Sequence, residues 1–81
     1  MNQDNLSNYR ENPRQYQITV QEHLNPRWSE WFENLNIIQK RDGTTSLSGP
    51  VADQAALYGL LNKLRDMGLT LLSVELLASE N

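Results

Sequence analysis

Residues 49–77, GPVADQAALYGLLNKLRDMGLTLLSVELL, contain a loop, a capped helix, a glycine stop and a strand in succession. Asp53 is placed to cap the helix, and the leucines after it recur with helical spacing at Leu57, Leu60, Leu61 and Leu64. Gly68 lies where a left-handed residue ends a helix with Schellman hydrogen bonds. Gly59, inside the helix, indicates close packing against a strand or a partner. The alternation that follows predicts a strand over about residues 70–77.

The residues before this stretch predict a strand and a short helix. Residues 15–24 alternate apolar and polar side chains, as a half-buried strand does. Asn25 and Pro26 then form a helix start, with an N-cap followed by proline at the first helical position. Four large apolar residues follow with the spacing of one α-helical face: Trp28, Trp31, Phe32 and Leu35. We therefore expect the tryptophans to pack in the core, with Trp28 at the first turn as the exception that can keep one edge exposed.

Residues 35–48 predict a hairpin. Residues 35–40 are typical of a strand, and Asp42-Gly43 within residues 41–44 favours a type I′ turn. Residues 44–48 form the partner strand, which Gly49-Pro50 is expected to end.

The element order β-α-β-β-α-β predicts an α+β fold, a ferredoxin-like sandwich with two helices on one face of a four-stranded antiparallel sheet of order 4-1-3-2. Residues 1–14 are expected to form a flexible N-terminal tail, since their polar composition supports little burial, and residues 15–81 to form the single domain. The helix-covered face of the sheet is predicted to carry Tyr16, Ile18, Val20, Leu47, Leu72 and Val74.

Composition disfavours several classes of function. The net charge is −3 and the cations are scattered, so we expect neither a nucleic-acid nor a membrane partner. The chain contains no cysteine, which excludes disulfides and thiolate chemistry. Neither a signal peptide nor an apolar run of membrane-spanning length is evident, so a cytoplasmic protein is expected.

No catalytic residue, metal ligand or cofactor is assigned from the sequence. His23 is the only histidine, so histidine-dependent chemistry would have to use it. Gly49-Pro50 lacks the glycine repeat and the Lys-Ser/Thr pair of a phosphate-binding loop. The candidate ligand contacts are His23 and Trp28.

The sheet face opposite the helices is the candidate interaction face, and it is predicted to carry Gln17, Thr19, Gln21, Ser46, Ser48, Leu71, Ser73 and Glu75. It lacks the aromatic rings with which an RNA-binding sheet stacks bases. Three interpretations stay open: a solvated surface, half of a homodimer interface, and a platform for a polar ligand.

Several segments resemble a family of small bacterial single-domain proteins without an assigned function. The pattern comprises Pro-x-Trp-Ser-x-Trp-Phe at residues 26–32, Asp-Gly-Thr-Thr at 42–45, Gly-Pro-Val at 49–51, Asp-Gln-Ala-Ala-Leu at 53–57 and Leu-Arg-Asp-x-Gly at 64–68. The resemblance covers residues 15–77 and implies a bacterial, cytoplasmic protein, but it transfers no site residue.

Two hypotheses for function follow. The first is a non-catalytic protein-interaction or regulatory module that self-associates as a homodimer, through a sheet edge or through the polar sheet face. The alternative is a small polar-ligand-binding module, or a small enzyme, with a pocket near His23 on the open sheet face.

Overall fold

The computed structural model describes residues 13–77, so the predicted tail over residues 1–14 lies almost entirely outside the described residues. Within them the chain forms four strands and two helices in the predicted order. The elements are β1 (Arg14–Val20), a 3₁₀ helix (Pro26–Phe32), β2 (Asn36–Gln39), β3 (Thr45–Val51), α1 (Gln54–Asp66) and β4 (Leu71–Leu76).

The strands form one antiparallel sheet of order β2-β3-β1-β4, which is the predicted order read from the opposite edge. One apolar row crosses all four strands. Its members, in spatial order from β2 to β4, are Ile37, Leu47, Ile18 and Val74. The α+β class, the antiparallel sheet and the strand order are therefore confirmed.

Both helices contribute to a single core with the sheet. The buried apolar residues are Ile18, Val20, Leu24, Phe32, Leu35, Ile37, Leu47, Val51, Leu57, Leu60 and Leu64. The 3₁₀ helix lies against β2, and α1 lies over β3. Val74 lies opposite buried Ile18, on the predicted face, but it is 36% exposed and Leu72 is 50% exposed, because the helices lie against β2 and over β3. The prediction that both are core residues is therefore wrong.

The first helix begins as predicted but is short. The Asn25 side chain accepts the Arg27 N–H at 2.9 Å, and Pro26 occupies the first helical position. The helix ends at Glu33 and Asn34, whose φ values of 59° and 63° are both left-handed. This early stop leaves an element of seven residues with the 3₁₀ conformation rather than an α-helix.

The tryptophans of this helix do not pack in the core, so the prediction of core packing is wrong, and the exposure allowed for Trp28 extends to Trp31. A 3₁₀ helix has three residues per turn, which aligns Trp28 with Trp31 and turns both away from Phe32. Phe32 is fully buried, whereas the tryptophans are 41% and 51% exposed. Trp31 contacts α1 instead, since the Lys63 ammonium lies 4.8 Å from its ring centroid and donates to its carbonyl at 2.8 Å.

The hairpin between β2 and β3 has a three-residue loop, residues 41–43. The Lys40 N–H donates to the Thr44 carbonyl at 2.8 Å, and the Gly43 N–H donates to the Lys40 carbonyl at 3.1 Å. Within the loop Gly43 has a positive φ of 94° and Asp42 does not. The predicted type I′ turn, which needs positive φ at both central residues, is therefore wrong.

β3 continues through Gly49 and Pro50, so the prediction that they end the strand is also wrong. The pairing of β2 stops opposite Ser48, and one side of β3 beyond it has no β2 partner. A proline is tolerated at such an edge-like position. Gly49 has a φ of 147°, and a Cβ there would lie 3.0 Å from Leu35 Cδ2.

The caps of α1 are confirmed. The Asp53 carboxylate accepts a backbone N–H of the first turn at 2.8 Å. At the other end Gly68 has a φ of 78°, and its N–H donates to the Arg65 carbonyl at 2.9 Å. The Leu69 N–H donates to the Leu64 carbonyl at 3.0 Å, which completes the Schellman motif.

Gly59 has free space around it inside α1. No atom outside its own helix turns lies within 4 Å of the position that a Cβ would take. The prediction that this glycine packs closely against a strand is therefore wrong for the described residues, and packing against a partner stays a prediction.

Candidate functional site: the β4 edge and its groove

β4 is an edge strand that exposes apolar side chains. It pairs with β1 on one side, and within residues 13–77 no strand lies on its other side. The exposed fractions are 46% for Leu71, 50% for Leu72, 36% for Val74 and 52% for Leu76. Glu75 is the single charged residue of the strand. Sheet edges are usually protected by charges, prolines or a covering segment, so this edge is well suited to pairing.

The backbone of β4 alternates between β1 and the free edge. The Leu77 N–H donates to the Gln15 carbonyl at 2.8 Å, and the register repeats this relation at Glu75 and Ser73. In an antiparallel ladder the intervening residues direct their N–H and C=O groups to the opposite side. In the regular part of β4, the residues that present these groups to the free edge are Val74 and Leu76.

A groove of about 380 Å³ lies between the end of α1 and the start of β4. Its lining residues are Leu61, Leu64, Arg65, Gly68, Leu69 and Leu71. Arg65 is the one charged member, and its guanidinium pairs with Asp66 at 3.1 Å. Because Leu71 belongs to both features, the apolar surface continues from the β4 edge into the groove.

The start of β4 is tied to the end of β1 by a carboxylate. The Thr70 N–H and hydroxyl donate to the two Glu22 carboxylate oxygens at 2.8 Å and 2.7 Å. These bonds lower the pKa of Glu22, because they favour its charged form. The Gln21 N–H donates to the Thr70 carbonyl at 2.9 Å. Together these bonds hold the position of the edge strand relative to its neighbour.

The register brings most of the predicted interaction face together. Two rows cross β3, β1 and β4: Ser48–Gln17–Glu75 and Ser46–Thr19–Ser73. Gln21 lies beyond the end of β1. The involvement of these residues in an interaction stays a prediction.

Leu71 is separated from that face by a register shift. The shift lies between the Thr19–Ser73 and Val20–Leu71 pairs, and it leaves one extra residue, Leu72, on β4. An extra residue reverses the alternation of side chains, so Leu71 lies opposite buried Val20 and lines the groove instead.

The two predicted ligand contacts, His23 and Trp28, lie in different segments of the chain. His23 is exposed beyond the end of β1, and its Nε2 lies 3.3 Å from the Lys40 carbonyl oxygen. Trp28 stands on the first turn of the 3₁₀ helix. A ligand pocket near His23 stays a prediction.

Residues 13–77 contain neither a cluster of metal ligands nor a helix with the character of a membrane span. No group of three or more His, Asp or Glu side chains there is placed to hold a metal ion. In the same residues, no helix combines the length and the hydropathy of a membrane span.

The chain matches a family model described as a domain of unknown function, DUF8691, over residues 15–75. The chain belongs to the DUF8691 family. The match begins at the second residue of β1 and ends at the fifth residue of β4, so the DUF8691 domain comprises both helices and all four strands described above. No curated protein and no solved structure matches the chain.

Leu72 and Leu76 are surface residues that the alternating pattern of the sequence does not indicate. The alternation of side chains predicts that Leu72 lies in the core. The sequence does contain a signal for exposed leucines on this strand. Leucines lie on both faces of residues 70–77, and helices on one side of a sheet can bury only one of these faces.

Proposed function

We propose that this DUF8691 domain is a non-catalytic protein-interaction module that self-associates through the β4 edge. One observation carries the proposal: β4 exposes four apolar side chains on a strand whose outer side has no partner within residues 13–77. Removing apolar surface from water yields about 25 cal/mol per Å², and free backbone groups on the edge gain hydrogen bonds at the same time. Pairing therefore satisfies both kinds of group at once.

A second copy of the chain is the occupant that the chemistry favours. It offers a strand of the same length and the same mixture of four apolar residues, one serine and one carboxylate. Two-fold pairing of identical edges joins two four-stranded sheets into one continuous sheet. The groove beside Leu71 extends the apolar contact beyond the strand itself.

The finer features of the family resemblance belong to the same proposal. The strand order and the core shared by both helices support a ferredoxin-like sandwich. The resemblance over residues 15–77 supports a bacterial, cytoplasmic protein.

The test compares one lysine substitution on each edge of the sheet. Leu76→Lys changes a 52% exposed residue of β4, and Ile38→Lys changes a 47% exposed residue of β2. The dimer contains one Leu76 in each copy, and losing the half-burial of each removes about 1 kcal/mol of association free energy. The dimer dissociation constant should therefore rise roughly thirtyfold for Leu76→Lys. Ile38→Lys should leave it unchanged. Size-exclusion chromatography with light scattering over a dilution series measures both values.

Circular dichroism and urea unfolding establish that both variants keep the fold. A wild-type chain that stays monomeric over the whole dilution series would refute the proposal. Equal dissociation by Ile38→Lys would refute the choice of the β4 edge.

A further inference from the structure

We infer that two copies pair β4 with β4 antiparallel, about a two-fold axis that passes at Val74. The inference rests on the proposed self-association and adds to it the register and the residues that meet.

The backbone limits where the axis can lie. Glu75 and Ser73 direct their N–H and C=O groups to β1, and Val74 and Leu76 direct theirs outward. In an antiparallel ladder, two residues directly opposite each other either both direct their N–H and C=O groups toward the other strand or both direct them away from it. An axis between two residues would pair an outward-directed residue with an inward-directed one. The axis therefore passes at a residue and not between residues.

The side chains select among the three axes nearest the middle of the strand, at Ser73, Val74 and Glu75. An axis at Glu75 would place two carboxylates directly opposite each other, which is destabilising. An axis at Ser73 would place Glu75 opposite Leu71, a charged residue against an apolar one. With the axis at Val74, Glu75 lies opposite Ser73.

This register matches the chemistry along the whole strand. Val74 exchanges two backbone hydrogen bonds with Val74 of the second copy, since both direct N–H and C=O outward. Leu76 lies opposite Leu72 of the second copy, and the Ser73 hydroxyl can donate to the Glu75 carboxylate across the seam. Leu72 immediately follows Leu71 of the groove, so the facing leucine extends the apolar surface toward α1.

Cysteine pairing tests the register, because the natural chain has no cysteine to interfere. Ser73 and Glu75 of opposite copies form a non-hydrogen-bonded pair, with Cα atoms about 4.5 Å apart and within disulfide range. Identical residues would lie on the diagonal, about 7 to 8 Å apart and outside that range. A mixture of Ser73→Cys and Glu75→Cys chains should therefore shift from monomer to linked dimer on a non-reducing gel.

Each variant alone should stay unlinked under the same mild oxidation. Linking by Ser73→Cys alone would overturn the inference in favour of an axis at Ser73, and linking by Glu75→Cys alone would move the axis to Glu75. An intact dimer in light scattering without any link would place the contact on another surface and overturn the register. A monomeric wild type would instead refute the proposed self-association itself.

Discussion

The two edges of the sheet differ in how the chain protects them. β2 has four residues, Ile37 is buried, and the 3₁₀ helix lies against the strand. The Gln39 amide, at the end of β2, donates to the Leu24 carbonyl at 3.1 Å. β4 has six residues, and four of its apolar side chains are exposed. Within residues 13–77 the 3₁₀ helix therefore lies against one edge strand, and the other edge strand exposes more apolar surface.

This difference comes from the position of the helices rather than from the strands themselves. Both strands carry apolar residues of high β-propensity, and an edge strand of either kind would attract a partner if it were left uncovered. The 3₁₀ helix immediately precedes β2 and packs against it, whereas α1 lies over β3 and reaches β4 only at the groove. Coverage of an edge is therefore set by the neighbouring elements.

The largest expected effect comes from removing the cover of the β2 edge. Phe32→Ala deletes a fully buried ring and should lower the free energy of unfolding by about 3 to 5 kcal/mol. Trp31→Ala removes an exposed ring and its contact with Lys63, so the expected loss is only about 1 kcal/mol. Urea unfolding of both variants measures the difference. Equal losses would mean that Phe32 does not anchor the 3₁₀ helix in the core.

Two glycine-to-alanine substitutions, one in β3 and one in α1, should change the free energy of unfolding in opposite directions. Gly49→Ala places a methyl group 3.0 Å from Leu35 Cδ2 at a φ of 147°, and should cost about 1 to 3 kcal/mol. Gly59→Ala meets no atom within 4 Å and should stabilise α1 by about 0.4 to 1 kcal/mol. Thermal and urea unfolding report both signs. A destabilising Gly59→Ala would indicate that a partner packs at this glycine.

The smallest expected effect concerns the acid stability of the β4 start. The folded-state pKa of Glu22 lies below its unfolded value, because Thr70 donates two hydrogen bonds to the carboxylate. The ionised Glu22 carboxylate contributes to the free energy of unfolding. This contribution is fully present above the unfolded-state pKa and is lost as the pH falls through the folded-state pKa. Glu22→Gln should therefore flatten the fall of unfolding free energy in acid.

Asp42 supplies the matched control for this pH series. Its pKa is also lowered, since the Thr44 hydroxyl and N–H donate to it at 2.6 Å and 2.9 Å, but it lies in the hairpin next to β2. Asp42→Asn should remove a separate part of the acid dependence. An acid slope in Glu22→Gln identical to that of the wild type would contradict the role assigned to Glu22.

The sequence predicts the parts of this fold that depend on local hydrogen bonds. The caps at Asn25 and Asp53 and the stop at Gly68 lie as expected, because each requires only a few neighbouring residues. The strand order also follows, since short connections leave few alternatives. These features made the class of the fold predictable from one sequence.

The predictions that were wrong concern geometry that the spacing of residues in the sequence does not determine. Trp28 and Trp31 have spacing compatible with an α-helical core face, but the 3₁₀ pitch turns them outward. The extra residue at Leu72 changes the side of the sheet on which Leu71 lies. The sequence therefore predicted only that a sheet edge could serve as the contact surface. The structure shows which apolar residues of β4 are exposed there.

The contact between Lys63 and Trp31 gives this protein an optical reporter of its own. Lys63 sits on α1 one residue before Leu64, which lines the groove, and its ammonium lies over an indole that is half open to water. Indole emission depends on nearby charge and hydration. Any displacement of α1 by occupation of the groove therefore alters the fluorescence of Trp31, without the attachment of a dye.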